Sequence, residues 1–188
     1  MATKPPMQKY LLAVSVATLA SAALGCESAP RAREPVSDPV ILTSLRDSCN
    51  AGEVAACERA CDSRDLYACN EAGHIYELGV GVPRDGVGAA AFYRKACDGG
   101  DMGGCFNAAY VLENGIAGRR DVHCALALYD YACNGGYLRS CLVAGYMLKN
   151  GIDVERDDAR AAHEFKKACD GGNVSGCNQL KTLGVEAP

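Results

Sequence analysis

The sequence predicts an all-α protein, an α/α solenoid of 36-residue helix-turn-helix repeats stapled by disulfides. Three observations carry this. Five windows place two cysteines with seven residues between them: Cys49 to Cys57, Cys61 to Cys69, Cys97 to Cys105, Cys133 to Cys141 and Cys169 to Cys177. From Cys61 onward the first cysteine of each window recurs every 36 residues, at 61, 97, 133 and 169. Between windows, small and aromatic residues recur at the same offsets, as supersecondary units that bury their faces only against neighbours require.

The chain has 188 residues, 49% hydrophobic and 22% charged, a composition suited to a folded protein. Its formal net charge of −4 excludes the basic face that nucleic-acid binding needs, so no nucleic-acid partner is expected. There is no Trp and only 6% aromatic residues, so the core must be built largely from small side chains in close contact. Twelve cysteines in this length point to an oxidising compartment or to bound metal.

Residues 1–25 read as an address. Lys4 and Lys9 give a positive start, and the uncharged run Leu11 to Leu24 is too short and too weakly apolar to span a bilayer. Ala22-Ala23-Leu24-Gly25-Cys26 resembles a bacterial lipobox, which implies cleavage before Cys26 and a lipid on its thiol. Glu27 stands where the enteric inner-membrane retention signal has Asp, so the resemblance leans to an outer-membrane anchor facing periplasm or cell surface. The membrane is thus expected as a partner through that lipid. Residues 26–38, the lipidated Cys followed by a stretch rich in Pro, Ser and alternating charge, read as a flexible tether.

The solenoid is assigned to residues 39–188, with a partial N-terminal copy, about three full repeats and a C-terminal capping helix over Asn178 to Gly184. Ser37-Asp38-Pro39 looks like a helix start. In each repeat, helix A runs from about the second cysteine of a window to a glycine about ten residues on, as in Cys105 to Asn114. Gly79, Gly115 and Gly151 suit the left-handed position that ends a helix. Asp85, Asp121 and Asp157 are then the N-caps of helix B, which ends at the next window. Leu126, Tyr129, Ala132 and Cys133, at steps of three and four, give helix B one apolar face.

The two cysteines of a window would lie at the end of one helix and in the first turn of the next, within disulfide reach across a hairpin. The simplest pairing is 49–57, 61–69, 97–105, 133–141 and 169–177. Spacing does not dictate connectivity, and zinc is the rival reading. Zinc sites, however, favour close C-x-x-C pairs, and none occurs here. No metal and no cofactor is expected. Cys124 is left over; it aligns with Gly88 and Arg160 and is read as a half-buried free thiol, with an intermolecular disulfide or a redox role as the alternatives.

The pattern AC-x7-C-x2-A-x6-G-x4-RD-x3-A-x3-Y/F-x2-AC resembles the Sel-one-like repeat, a relative of the tetratricopeptide repeat, over roughly Asp38 to Leu183. The disulfide-stapled form resembles the Helicobacter cysteine-rich protein branch, some members of which are described as penicillin-binding or β-lactamase-like. That resemblance implies a scaffold, and as an alternative β-lactam binding or weak hydrolysis. The residues for the latter are not found. Ser44 and Ser63 do not open S-x-x-K, no S-D-N occurs, and Lys181-Thr182 is followed by Leu183. No catalytic residue is named, and a third reading is a structural or redox-sensing lipoprotein.

In related solenoids helix A lines the binding face. At one helix A offset stand His74, Tyr110 and Tyr146, and one turn earlier Asn70, Phe106 and Leu142. They vary from repeat to repeat while the flanking Ala and Gly stay constant, as a recognition surface on a fixed frame would. The expected partner is an envelope protein, a peptide or a cell-wall fragment. The competing reading is that Phe106, Leu142 and the tyrosines pack against the neighbouring repeat.

Overall fold

A computed structural model describes residues 37–185. The lipobox-like segment, Cys26 and most of the tether lie outside the described residues. Among the described residues there are nine helices and no strand: α1 (Pro39–Asn50), α2 (Val54–Asp62), α3 (Leu66–Leu78), α4 (Gly86–Asp98), α5 (Met102–Glu113), α6 (Val122–Asn134), α7 (Leu138–Asn150), α8 (Asp158–Asp170) and α9 (Val174–Thr182).

Each helix packs on the next, and helices two apart also touch, α3 on α5, α2 on α4 and α6 on α8. This is the two-layer stack of an α/α solenoid. Helices α3, α5, α7 and α9 form the A layer and α2, α4, α6 and α8 the B layer.

The helix ends follow local chemistry. Asp38 caps α1 by accepting from the Val40 N–H, with Pro39 at the first helical position. Asp85, Asp121 and Asp157 cap α4, α6 and α8 through their side-chain oxygens. The A helices begin earlier than their cysteines suggest. Asp65, Asp101 and Asn173 cap α3, α5 and α9, four residues after the first cysteine of the window. The C-terminal helix therefore runs from Val174 rather than Asn178, because Asn173 supplies the cap. Tyr137 holds the same register on α7 and makes no cap bond. Its ring instead packs 5.4 Å from that of Phe106.

The recurring Arg-Asp pair has two jobs. The Asp caps helix B, while the Arg closes helix A: Arg84 Nε donates to the Glu77 carbonyl at 2.8 Å and Arg120 Nε to the Glu113 carbonyl at 2.6 Å. Both satisfy carbonyls that a helix C-terminus leaves open. In the last repeat, Arg156 turns to the Asp158 carboxylate instead.

The core is a ladder of one aromatic and several alanines per repeat. Tyr93, Tyr129 and Phe165 are buried at one register, and Ala96, Ala132 and Ala168 are fully buried just before the cysteines. Small residues let the helices approach. A Cβ added at Gly145 would fall 2.6 Å from the Phe165 ring, and one at Gly86 only 1.9 Å from the Ile116 carbonyl oxygen.

All five window disulfides form, each between cysteines eight positions apart, with Cα–Cα distances from 4.4 to 4.7 Å. Each ties the end of one helix to the first turn of the next. The chain-entropy estimate for so short a loop is about 2.5 kcal/mol per bridge. The N-terminal copy is stapled twice, because the continuous helix α2 carries both Cys57 and Cys61.

Candidate functional site

The six helix A residues divide by exposure. His74 is exposed, Tyr110 is 43% exposed and Tyr146 36%. They lie at one register on α3, α5 and α7, on successive helices of the A layer. One turn earlier the picture changes. Asn70 is half-buried and donates from Nδ2 to Asp101 Oδ2 at 2.7 Å, while its own carbonyl oxygen accepts from Asn107 Nδ2 at 3.4 Å. These bonds tie α3 to the capping residue and body of α5.

Phe106 corrects the expectation of a partner contact. It is 7% exposed, its ring lies 5.4 Å from both Tyr129 and Tyr137, and the Arg139 guanidinium covers it at 4.8 Å. Its apolar surface is spent inside the repeat junction. Leu142 is half-buried against the core. Tyr146 sets its ring edge-on to Phe165 at 5.3 Å, which fixes its orientation while leaving a third of it in solvent. The surface residues of this set are therefore His74, Tyr110 and Tyr146, with Asn70 and Leu142 beneath them.

The hydroxyls of the core tyrosines brace the A and B layers. Tyr93 donates to Glu77 Oε2 at 2.7 Å and Tyr129 to Glu113 Oε2 at 2.8 Å. Burial first, then the carboxylate hydrogen bond, pushes both phenols far above their ordinary range. Tyr76 donates to Glu58 at 2.6 Å, and that bond, reinforced by partial burial, pushes its phenol up to about 12. Glu77, Glu113 and Lys149 share one register at the ends of their A helices and hold neighbouring helices there. Lys149 Nζ reaches Gln179 and Thr182 on α9, at 2.8 Å each.

The free-thiol expectation for Cys124 is also corrected. It is disulfide-bonded, and none of the described cysteines is free. A redox reading built on a free Cys124 loses its basis.

Two features escaped sequence reasoning. Arg64 has φ 67°, whereas the same register holds Gly52, Gly100, Gly136 and Gly172 at φ between 87° and 98°. It borders an open depression of about 560 Å³ with Asp62, Leu66, Lys95 and Asp98. None of the six candidate residues lines this depression. The second is Glu164, 6% exposed, with Oε2 2.9 Å from Cys133 Sγ and Oε1 2.9 Å from Lys167 Nζ. Among the described residues, Cys133, Cys141 and Glu164 bring three metal-ligating side chains together. Two of those sulfurs are bonded to each other and offer no thiolate to a metal. Both features show in the sequence as breaks in the repeat: Arg where other windows have Gly, and Glu where other repeats have Phe92 and Leu128.

The Sel1 repeat family model matches residues 66–101, 104–137 and 139–173. No curated protein matches the chain. Among solved structures, a protective antigen of uropathogenic Escherichia coli displaying the Sel1-like repeat fold aligns at TM-score 0.66 and 25% identity, over 78% of this chain and 35% of that one. A Sel1 repeat protein from Oxalobacter formigenes aligns at TM-score 0.63 and 19% identity, over 79% of this chain and 63% of that one. Cysteine-rich protein B of Helicobacter pylori aligns at TM-score 0.53 and 24% identity, over 74% of this chain and 96% of that one. This chain thus spans about a third of the length of the first of these and less than two thirds of the second.

Proposed function

The chain belongs to the Sel1 repeat family, and from that premise we propose that it is an exported lipoprotein scaffold of the cell envelope. It holds a protein, peptide or cell-wall fragment on the exposed register of its A layer. The observation that carries the reading is the row His74, Tyr110 and Tyr146, solvent-facing at one offset on three successive A helices, while the alanines that recur two residues before them, Ala72, Ala108 and Ala144, are buried. Tyrosine suits such a role: it offers contact area and a hydroxyl at a low cost in conformational entropy. The five window disulfides support export to an oxidising compartment, and no helix among the described residues is long and apolar enough to cross a membrane. Attachment through the lipidated Cys26 fits both facts.

The experiment replaces His74, exposed in the same row, with a photo-crosslinking amino acid in the mature protein and irradiates whole envelopes. A discrete adduct that disappears in the Tyr110→Ala/Tyr146→Ala variant, with the helical circular dichroism signal retained, supports this row as the partner surface. Capture that survives the double variant places the partner elsewhere. Anchoring is read by metabolic labelling with an alkyne fatty acid, which Cys26→Ser must abolish.

A further inference from the structure

The window bridges share spacing but not surroundings. At the helix B register that meets the preceding bridge stand Phe92, Leu128 and Glu164. Phe92 packs on Cys61–Cys69, and Leu128 lies in one apolar cluster with Cys97 and Cys105. At Cys133–Cys141 the register puts a buried carboxylate, Glu164 Oε2, 2.9 Å from Cys133 Sγ. Around it, Lys167 Nζ donates to Glu164 Oε1 at 2.9 Å and to Asn134 Oδ1 at 2.7 Å. Asp130 on α6 holds Arg160 at 3.1 Å and keeps Oδ1 buried without a hydrogen-bond partner.

A disulfide sulfur carries no proton. In the oxidised protein, the Cys133 sulfur therefore has nothing to donate to the carboxylate oxygen against it, and the two meet lone pair to lone pair. Lys167 tempers that repulsion by neutralising the carboxylate. Reduction changes the contact: the Cys133 thiol gains an S–H aimed at a charged acceptor, a hydrogen bond of the stronger, charge-assisted kind. An interaction present in the dithiol and absent in the disulfide raises the reduction potential of the pair. Phe92 and Leu128 offer their bridges no acceptor.

We propose that Cys133–Cys141 is a thiol–disulfide exchange site, the one of the window bridges that a dithiol reductant opens in preference, because Glu164 stabilises its reduced form. A thiolate of the reductant attacks Cys141 Sγ. The S–S bond breaks and its electron pair leaves on Cys133, which takes up a proton and donates it in a hydrogen bond to Glu164. The second reductant thiol attacks the mixed disulfide and releases Cys141 as a thiol. The reductant departs as its own disulfide, two electrons and two protons having passed to the pair. The bridge ties α6 to α7, the helix that carries Leu142 and Tyr146, so reduction frees that helix from its covalent tie. The proposal stands apart from the identity of any partner.

Access does not sort the bridges, since the window cysteines are buried with the exception of half-buried Cys177. The test is therefore an equilibrium one. The oxidised full chain is equilibrated at pH 7 in graded mixtures of reduced and oxidised dithiothreitol, quenched in acid, alkylated, and each pair quantified by peptide mass spectrometry. Cys133 and Cys141 are expected half-reduced at a ratio of reduced to oxidised reagent about tenfold lower than Cys61–Cys69 or Cys97–Cys105, which is ~30 mV for a two-electron couple. Glu164→Leu, which copies Leu128, abolishes that difference, and Glu164→Gln, which keeps an acceptor oxygen, retains part of it. Wild-type bridges that open together, or Cys133–Cys141 opening last, overturn the proposal whether or not the variants fold. So does Glu164→Leu that folds and keeps the full tenfold preference.

Discussion

Removing one oxygen from Tyr129 tests how the two layers are held together. Tyr129 is 1% exposed on α6, and its hydroxyl donates to Glu113 Oε2 at the end of α5, 2.8 Å away. Tyr129→Phe keeps the ring and its packing and deletes only this bond. Hydrogen bonds to charged acceptors contribute about 1.5–3 kcal/mol. Glu113 is half-buried and can turn to water, so the lower end applies, about 1.5 kcal/mol. For an ordered chain of this size, that lowers Tm by about 3–6 °C. Glu113→Gln keeps an acceptor and costs less. The double variant then gives a coupling energy of about 1 kcal/mol for the pair. Urea denaturation followed by far-ultraviolet circular dichroism, bridges intact, measures each corner of the cycle. The chain already contains the altered case. The third repeat has Phe165 at the tyrosine register, and there Lys149 replaces the glutamate and bonds to α9 instead. A Tyr129→Phe variant as stable as wild type, or a coupling energy near zero, would refute the brace.

Alkaline pH tests the same phenols collectively. Tyr93 and Tyr129 are held far above the usual phenol range by burial and carboxylate bonds, and Tyr76 at about 12 mainly by its bond to Glu58. A pKa raised in the folded state gives stability that is complete below the unfolded value of about 10 and lost as pH climbs through the folded one. Urea midpoints should therefore hold up to about pH 10 and fall as pH climbs from there toward 12, less steeply in Tyr129→Phe; equal slopes would sink the attribution. Arg64→Gly relieves the left-handed backbone that the other windows give to glycine. It is expected to stabilise by about 1 kcal/mol, and a loss of stability would mean that Arg64 earns its strain through contacts at the depression. Gly86→Ala pushes a Cβ to 1.9 Å from the Ile116 carbonyl. The clash outweighs the gain in helix propensity and should cost about 1–2 kcal/mol net by thermal melting; a stabilised variant contradicts the close approach.

The features legible in the sequence are those that lie close along the chain. The window disulfides join residues eight apart, the caps at Asp85, Asp121 and Asp157 act within their own first turns, and Gly79 and Gly151 end helices in the left-handed region. Each depends on backbone geometry over one or two turns, so spacing alone exposes it. The 36-residue period then follows, because identical units must stack alike. Contacts between units emerge from three-dimensional packing. It buried Phe106 under Arg139 and between two tyrosines while leaving Tyr110 one turn away in solvent. It set Glu164 against Cys133, 31 positions earlier, and drew Asn70 to Asp101 across the same separation. Such contacts are fixed by how far each repeat rotates on its neighbour, and that rotation is the sum of many small packing choices among alanines, glycines and one aromatic per unit. No short stretch of sequence encodes it.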